Sequence, residues 1–343
     1  MRVAAPDAGR IAADPLWLPH RYDEAADAVH FIHLEREEHR AAIFLTDEYI
    51  HADVERVIMA RAEAVASAGP PTPLHFIFHS AYCCSTLLAR ALDVEGVAMG
   101  LKEPVILNDM VGWMKRGAAP HQLKAVLDNV LTLLAQPFLP GEAVVVKPSN
   151  ILNSFAEGML DMRPQSRALL LHAPLPVYLR SVAKKGLWGR LWVRELFIIL
   201  LEQRLVDLGL EDKNYLDLTD LQIAAAGWLA QQALFARLVE RFGAERIRTL
   251  DSGTLMERPA QVIAGLSELF GLGLDEAAAS ALVTGPAFTR HSKFDTDFTS
   301  KDRAAEQRDA AATHGDEIEK VSAWAEAVAA AAGIRTDLPA PLI

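Results

Sequence analysis

The segment His75 to Leu92, HFIFHSAYCCSTLLARAL, gathers the side chains with the clearest capacity for chemistry. It reads as an apolar strand, a short polar turn, and an amphipathic helix opened by Ser85 and Thr86. The first amides of a helix have no partner within it and point outward. The helix dipole adds partial positive charge at the same end. A phosphate or sulfate fits there, with the Ser85 and Thr86 hydroxyls as further donors. The competing reading is that Ser85 only caps the helix. The NTP-hydrolysing pattern Gly-x4-Gly-Lys-Ser/Thr is absent, since no Gly lies between Ser80 and Thr86 and no Lys precedes Ser85. Two adjacent thiols, Cys83 and Cys84, sit in the turn with His79 close by in sequence. A cysteine at a helix start can have a lowered pKa and act as a nucleophile. The alternative is that both are small side chains filling space.

Other elements must position this turn. Leu74–Phe78, Val144–Val146, Ala168–Leu171 and Ile247–Leu250 are short apolar runs of buried-strand type. Helical stretches lie between and after them, at about 121–135, 151–161, 175–184, 191–207 and 219–242. Strands alternating with helices predict an α/β fold, three-layered, with a central parallel sheet covered on both faces. Such sheets place ligands at the carboxyl ends of their strands. Residues 66–73, ASAGPPTP, form a breaker. Residues 1–66 are expected to be an N-terminal extension packing on the main domain. Within it Val29–Leu34 and Ala41–Leu45 could pair as strands, and Val54–Val65 could form a helix. The main domain is expected over 74–300, with a helical tail over 301–343.

The 343 residues carry a formal charge of −11, 51% hydrophobic content and 23% charged residues. That is ample for a large core, and single α/β domains of this length are common. An acidic balance argues against a general nucleic-acid partner. Two adjacent cysteines cannot staple distant parts of a fold, and four-ligand zinc spacing is absent. No metal is expected, and the setting expected is reduced and cytoplasmic. Met1–Pro19 has no apolar stretch of signal-peptide length. The run Leu196–Leu201 is far short of the roughly 20 apolar residues a membrane span needs.

The set of segments, in this order, resembles the PAPS-dependent sulfotransferases, whose fold is P-loop-like. The likeness covers about 74–295. Ala81 to Leu88 resembles their loop for the 5′-phosphosulfate of the donor PAPS (3′-phosphoadenosine-5′-phosphosulfate), written Pro-Lys/Arg-Ser-Gly-Thr-Thr; Ser85 and Thr86 fall on the paired threonines. Gly100-Leu-Lys-Glu-Pro104 is similar to the segment that carries the general base in the protein-tyrosine sulfotransferases, which implies that role for Glu103. The alternative is a helix-start acid beside a proline. Val144 to Ser149 resembles the strand whose lysine stabilises the moving sulfuryl group, which implies that role for Lys147. Arg167 to Ser181 resembles the 3′-phosphate element, a strand, an Arg, and a Ser eight residues later. Ser181 matches that serine, and Lys184 and Lys185 follow it. Trp228–Leu272 also looks family-like and reads as scaffold, with Trp228 a core residue. Arg290-His-Ser-Lys293 is placed like the basic loop that closes the donor site.

Two positions depart from the pattern. Tyr82 stands where the loop has Lys or Arg, with Cys84 in place of its Gly, and Ala173 stands where the 3′-phosphate element has Arg. Losing a charged hydrogen bond costs about 1.5–3 kcal/mol. His79, Arg180, Lys184, Arg290 and Lys293 are the candidate replacements, so the donor-binding set is His79, Tyr82, Cys83, Cys84, Ser85, Thr86, Arg180, Ser181, Arg290 and Lys293. The resemblance implies sulfuryl transfer to a hydroxyl or amine of a small-molecule acceptor. An ATP-dependent phosphotransferase, or a noncatalytic descendant that binds a nucleotide or anion, remains open. Trp113, Trp188, Trp192 and Tyr215 would suit an apolar acceptor, or the core. Homo-oligomerisation is left open.

Overall fold

Ala143–Lys147, a run of Ala and three Val before a single Lys, has side chains buried on both faces, as a strand covered by helices on each side must. The computed structural model describes residues 11–289 and 300–343, and this run is β6 of a five-stranded sheet. Its other members are β4 (Leu74–His79), β5 (Ala98–Lys102), β7 (Ala168–His172) and β8 (Ile247–Asp251). The order is β5–β6–β4–β7–β8, and the β5–β6, β4–β6 and β7–β8 pairings are parallel. The fold is therefore α/β with a central parallel sheet, as its strand-and-helix alternation predicts. Phe76, Ile77 and Phe78 of β4 are completely buried; burial of one such side chain contributes about 1.5–3 kcal/mol.

A smaller antiparallel sheet is made of β1 (Trp17–Asp23), β2 (Ala28–His33) and β3 (Arg56–Ala60), in that order. The expected pairing of Val29–Leu34 with Ala41–Leu45 does not form. The partners of β2 are β1 and β3, and Ala41 ends α1 (Arg36–Ala41). Val54–Val65 is not one helix either: it divides into β3 and the start of α2 (Arg61–Ser67). β1 hides from a hydrophobic pattern because Pro19 and His20 sit inside it. Its polar groups are answered by distant partners. His20 Nε2 lies 2.9 Å from Asp47, and the Arg21 guanidinium donates to Asp109 at 2.8–3.1 Å.

Helices fill the connections. α3 (Ser85–Ala91), α4 (Val105–Lys115), α5 (Pro120–Leu134) and α6 (Ala156–Met162) follow β4, β5 and β6. α7 (Leu175–Lys184), α8 (Gly186–Glu202) and α9 (Asp220–Phe242) follow β7. α9 starts with a capping box. Thr219 Oγ1 accepts from the Gln222 amide, and Gln222 Oε1 accepts from the Thr219 amide, which satisfies two end donors reciprocally. After β8 come α10 (Ser252–Glu257), α11 (Pro259–Phe270), α12 (Glu276–Val283), α13 (Pro286–Thr289) and α14 (Ser300–Ala332). Among the described residues the chain forms two compact units. One draws on residues up to Ile77, Thr86–Arg167 and Phe270–Leu274; the other draws on Phe78–Ser85, Ala168–Leu269 and the residues from Asp275 on.

Candidate functional site

In the first unit, β5 and β6 end level with each other, Lys102 opposite Lys147. The next residue, Glu103, has φ +52°. A side chain other than glycine is strained in that region, and Pro104 further restricts the residue before it. The turn is held by its backbone: the Glu103 amide donates to the Lys147 carbonyl at 2.7 Å. Its side chain then meets Lys147 directly, Nζ against Oε1. Lys147 is fully buried and Glu103 is 17% exposed, so the carboxylate is the half of the pair that solvent reaches. The two residues for which the resemblance implies catalytic roles are thus in contact.

Residues from the N-terminal segment cover this pair, and nothing local in the sequence marks them. The Leu45 amide donates to the Lys102 carbonyl at 2.7 Å, and the Leu45 carbonyl accepts from the Val105 amide at 3.0 Å. That clip places the Phe44 ring 4.9 Å from Lys147 Nζ, a cation–π contact. Tyr49 packs edge-on against Phe44 at 5.4 Å. Its hydroxyl pKa is raised by burial first, then by the charges of Glu48 and Glu103. Lys102 points elsewhere. It is buried, and its Nζ donates to the His39 and Arg40 carbonyls at 3.0 and 2.8 Å, at the negative end of α1. Burial lowers its pKa to about 7.

In the second unit, β4 runs into the turn. The chain leaves β4 toward one edge of the sheet and β7 toward the other, so this turn lies at a topological switch point. The Ser80 amide donates to the Leu171 carbonyl at 3.1 Å. Ala81, Tyr82 and Cys84 have φ of +69°, +51° and +67°. Three such residues in one turn, none of them glycine, are a costly arrangement of the kind found at ligand clamps, and backbone amides in alternating conformations can form an anion-binding hollow. His79 Nδ1 accepts from the Ala81 amide at 3.2 Å, so this imidazole braces the turn. Cys83 and Ser85 are buried, and Cys84 is partly exposed. Thr86, the next residue, is buried and belongs to the first unit.

Tyr82, in the position of the expected basic residue, is built into an aromatic cluster. Its ring lies 5.8 Å from Tyr178 and 5.4 Å from Trp192, and burial raises its pKa. Ala173 is completely buried, and its carbonyl accepts from Trp228 Nε1 at 2.8 Å, which makes Trp228 the core residue expected. The Ser181 hydroxyl donates to the Val177 carbonyl at 2.9 Å, one turn back in α7. Arg180 lines a groove of about 380 Å³ with Glu319, Ser322 and Glu326 of α14. Lys184 and Lys185 are exposed. Arg290 and Lys293 lie outside the described residues. At the end of β7, His172 faces Asp251 across the strand pair. Burial lowers the His172 pKa against the pull of Asp251. For Asp251, burial acts upward, but hydrogen bonds from Thr254 bring its pKa below the usual value. Among the described residues, no cluster of three or more His, Cys, Asp or Glu could hold a metal ion, and no helix is long and apolar enough to cross a membrane.

No family model matches the sequence, and no curated protein does. Solved structures do. The chain is similar to the sulfotransferase domain from the curacin biosynthetic pathway, at 13% identity and TM-score 0.43, over 72% of this chain and 99% of that one. It is similar to a sulfotransferase from Mycobacterium avium, at 14% identity and TM-score 0.41, over 74% and 78%. It is also similar to the sulfotransferase domain of the Synechococcus PCC 7002 olefin synthase, at 14% identity and TM-score 0.38, over 71% and 95%. All three scores lie below one half, and the α/β assignment stands on the strand pairing itself.

Proposed function

We propose that this chain transfers a sulfuryl group from PAPS to a hydroxyl or amine of a small-molecule acceptor. The contact between Glu103 and Lys147 carries the reading. Sulfuryl transfer moves a proton off the acceptor and gathers negative charge on the sulfuryl oxygens. A carboxylate and an ammonium held together at adjacent strand ends supply both needs. As the acceptor oxygen bonds to sulfur, the partly exposed Glu103 takes its proton. Lys147 stabilises the equatorial oxygens while the bond from sulfur to the 5′-phosphate breaks. The strained turn with Ser85 and Thr86 is suited to the 5′ end of the donor.

The residues fit the two ends of the donor unequally. At the 3′-phosphate element, Ala173 is apolar and buried and the Ser181 hydroxyl is turned into its own helix. That observation favours the second reading, a noncatalytic protein that binds a nucleotide or anion. A transfer assay separates the two. Labelled PAPS is incubated with a phenol, an aliphatic alcohol and an amine, using wild type, Glu103→Gln and Lys147→Met. Transfer that both substitutions suppress supports the enzyme. Binding of the donor product without transfer to any acceptor supports the second reading. Turnover of Mg-ATP instead would point to a phosphotransferase.

A further inference from the structure

Glu103 and Lys147 share their frame with a third side chain, Phe44, and all three belong to the first unit. Phe44 lies outside the stretch that resembles the sulfotransferases. Leu45, the next residue, is completely buried. Its amide donates to the Lys102 carbonyl and its carbonyl accepts from the Val105 amide, at 2.7 and 3.0 Å. Those two partners flank the Glu103–Pro104 turn. The Glu103 amide is in turn bonded to the Lys147 carbonyl at 2.7 Å. One set of backbone hydrogen bonds therefore ties Phe44, Glu103 and Lys147 together, and reacting groups need such support to hold a productive geometry.

Within that frame the Phe44 ring centre lies 4.9 Å from Lys147 Nζ. A ring face attracts an ammonium electrostatically, and the attraction is strongest where the cation has lost its water. The Lys147 side chain is fully buried. Tyr49 packs edge-on against Phe44 at 5.4 Å and buttresses the ring.

In the proposed reaction the acceptor's proton passes to Glu103 as the acceptor atom bonds to sulfur. The electron pair of the breaking S–O bond stays on the 5′-phosphate. Glu103 is then neutral, so the carboxylate beside the buried ammonium loses its charge during the step in which Lys147 must serve the sulfuryl oxygens. A buried cation that loses the charge of its partner is costly to hold. A ring face takes no proton, and its attraction is the same before and after the transfer. We propose that Phe44 is a positioning residue, whose ring face holds the Lys147 ammonium in place while Glu103 accepts the acceptor's proton. The inference rests on the proposed sulfuryl transfer.

The test places mono-, di- and trifluorinated phenylalanine at position 44 of the full chain, beside Phe44→Leu. Fluorine draws electron density from the ring face and weakens its pull on a cation in steps, with little change of shape. The readouts are kcat for transfer from PAPS, KM for the acceptor, and calorimetric Kd for 3′-phosphoadenosine-5′-phosphate. The expected result is a stepwise fall of kcat with each fluorine, reaching about 5–30-fold in Phe44→Leu. KM and Kd stay unchanged. Tyr49→Leu, which removes the edge contact and leaves the ring beside Lys147, slows transfer less than Phe44→Leu. Rates indifferent to fluorination in an active enzyme overturn the inference: Phe44 is then packing alone, and the proposed function stands. No transfer from PAPS by the wild-type chain overturns the proposed function, and the role of Phe44 falls with it.

Discussion

Glu103 and Lys147 close the carboxyl ends of β5 and β6, while His172 and Ala173 close that of β7. At the first pair of ends the chain holds opposite charges in contact, one fully buried and one open to solvent. At the other, packing has taken over: Ala173 is buried with its carbonyl given to Trp228, and Tyr82 of the neighbouring turn is enclosed by Tyr178 and Trp192. Both regions stand at the ends of parallel strands, where ligands of such sheets bind. The difference is that one pair of strand ends presents opposite charges in contact, while the other presents packed apolar and aromatic groups. The strained backbone falls in the same pattern. Left-handed residues other than glycine occur at Glu103 and in the turn at Ala81, Tyr82 and Cys84, and none lies in β7 or α7.

The comparison breaks first if the charged strand ends are inert. Lys147→Met should lower transfer by about 10²–10³-fold, with donor binding little changed, as seen by comparing kcat with the calorimetric Kd. Equal losses in both would make Lys147 a binding residue instead. Next in size is Ala173→Arg. Placing arginine, the residue that the sequence resemblance expects there, at a fully buried site should cost at least about 2 kcal/mol in stability by overpacking and by burying a charge, read as a shift of the denaturant midpoint. A gain in affinity for 3′-phosphoadenosine-5′-phosphate without that loss would contradict the packing account. Smaller still, Ser85→Ala should weaken that ligand by about tenfold and Ser181→Ala by less than about threefold, because the Ser181 hydroxyl is already committed to Val177.

A further effect concerns pH. Burial lowers the His39 pKa to about 3 and the His75 pKa to about 4. Between those values and the ordinary 6.5 the unfolded chain binds more protons than the folded one. Stability must therefore fall as pH drops from about 6.5 toward 4. Both histidines belong to the first unit. His39→Gln and His75→Phe should each flatten the fall of the denaturant midpoint between pH 7 and pH 4.5.

Much of the sheet was legible. β4, β6, β7 and β8 announce themselves as short apolar runs between helices, and the turn after β4 is visible because Ser85 and Thr86 open an amphipathic helix. β5 was harder to read because Gly100 and Lys102 interrupt its apolar character, and Lys102 is tolerated there only through the two carbonyls that receive its ammonium group. β1 was unreadable for a similar reason: its polar residues are satisfied by partners far away in sequence, such as Asp47 and Asp109. The residue types at Glu103 and Lys147 were legible, but their contact was not, since it depends on strand register and on a left-handed turn. Phe44 and Tyr49 reach that contact through a backbone clip at Leu45, which no local pattern encodes.

The central claim is most directly tested by calorimetric titration of the wild-type chain with 3′-phosphoadenosine-5′-phosphate, the product left when the donor has given up its sulfuryl group. The account predicts saturable binding at micromolar ligand despite Tyr82 and Ala173. Absence of binding at millimolar ligand would contradict it and leave the Glu103–Lys147 pair without the donor it is proposed to serve.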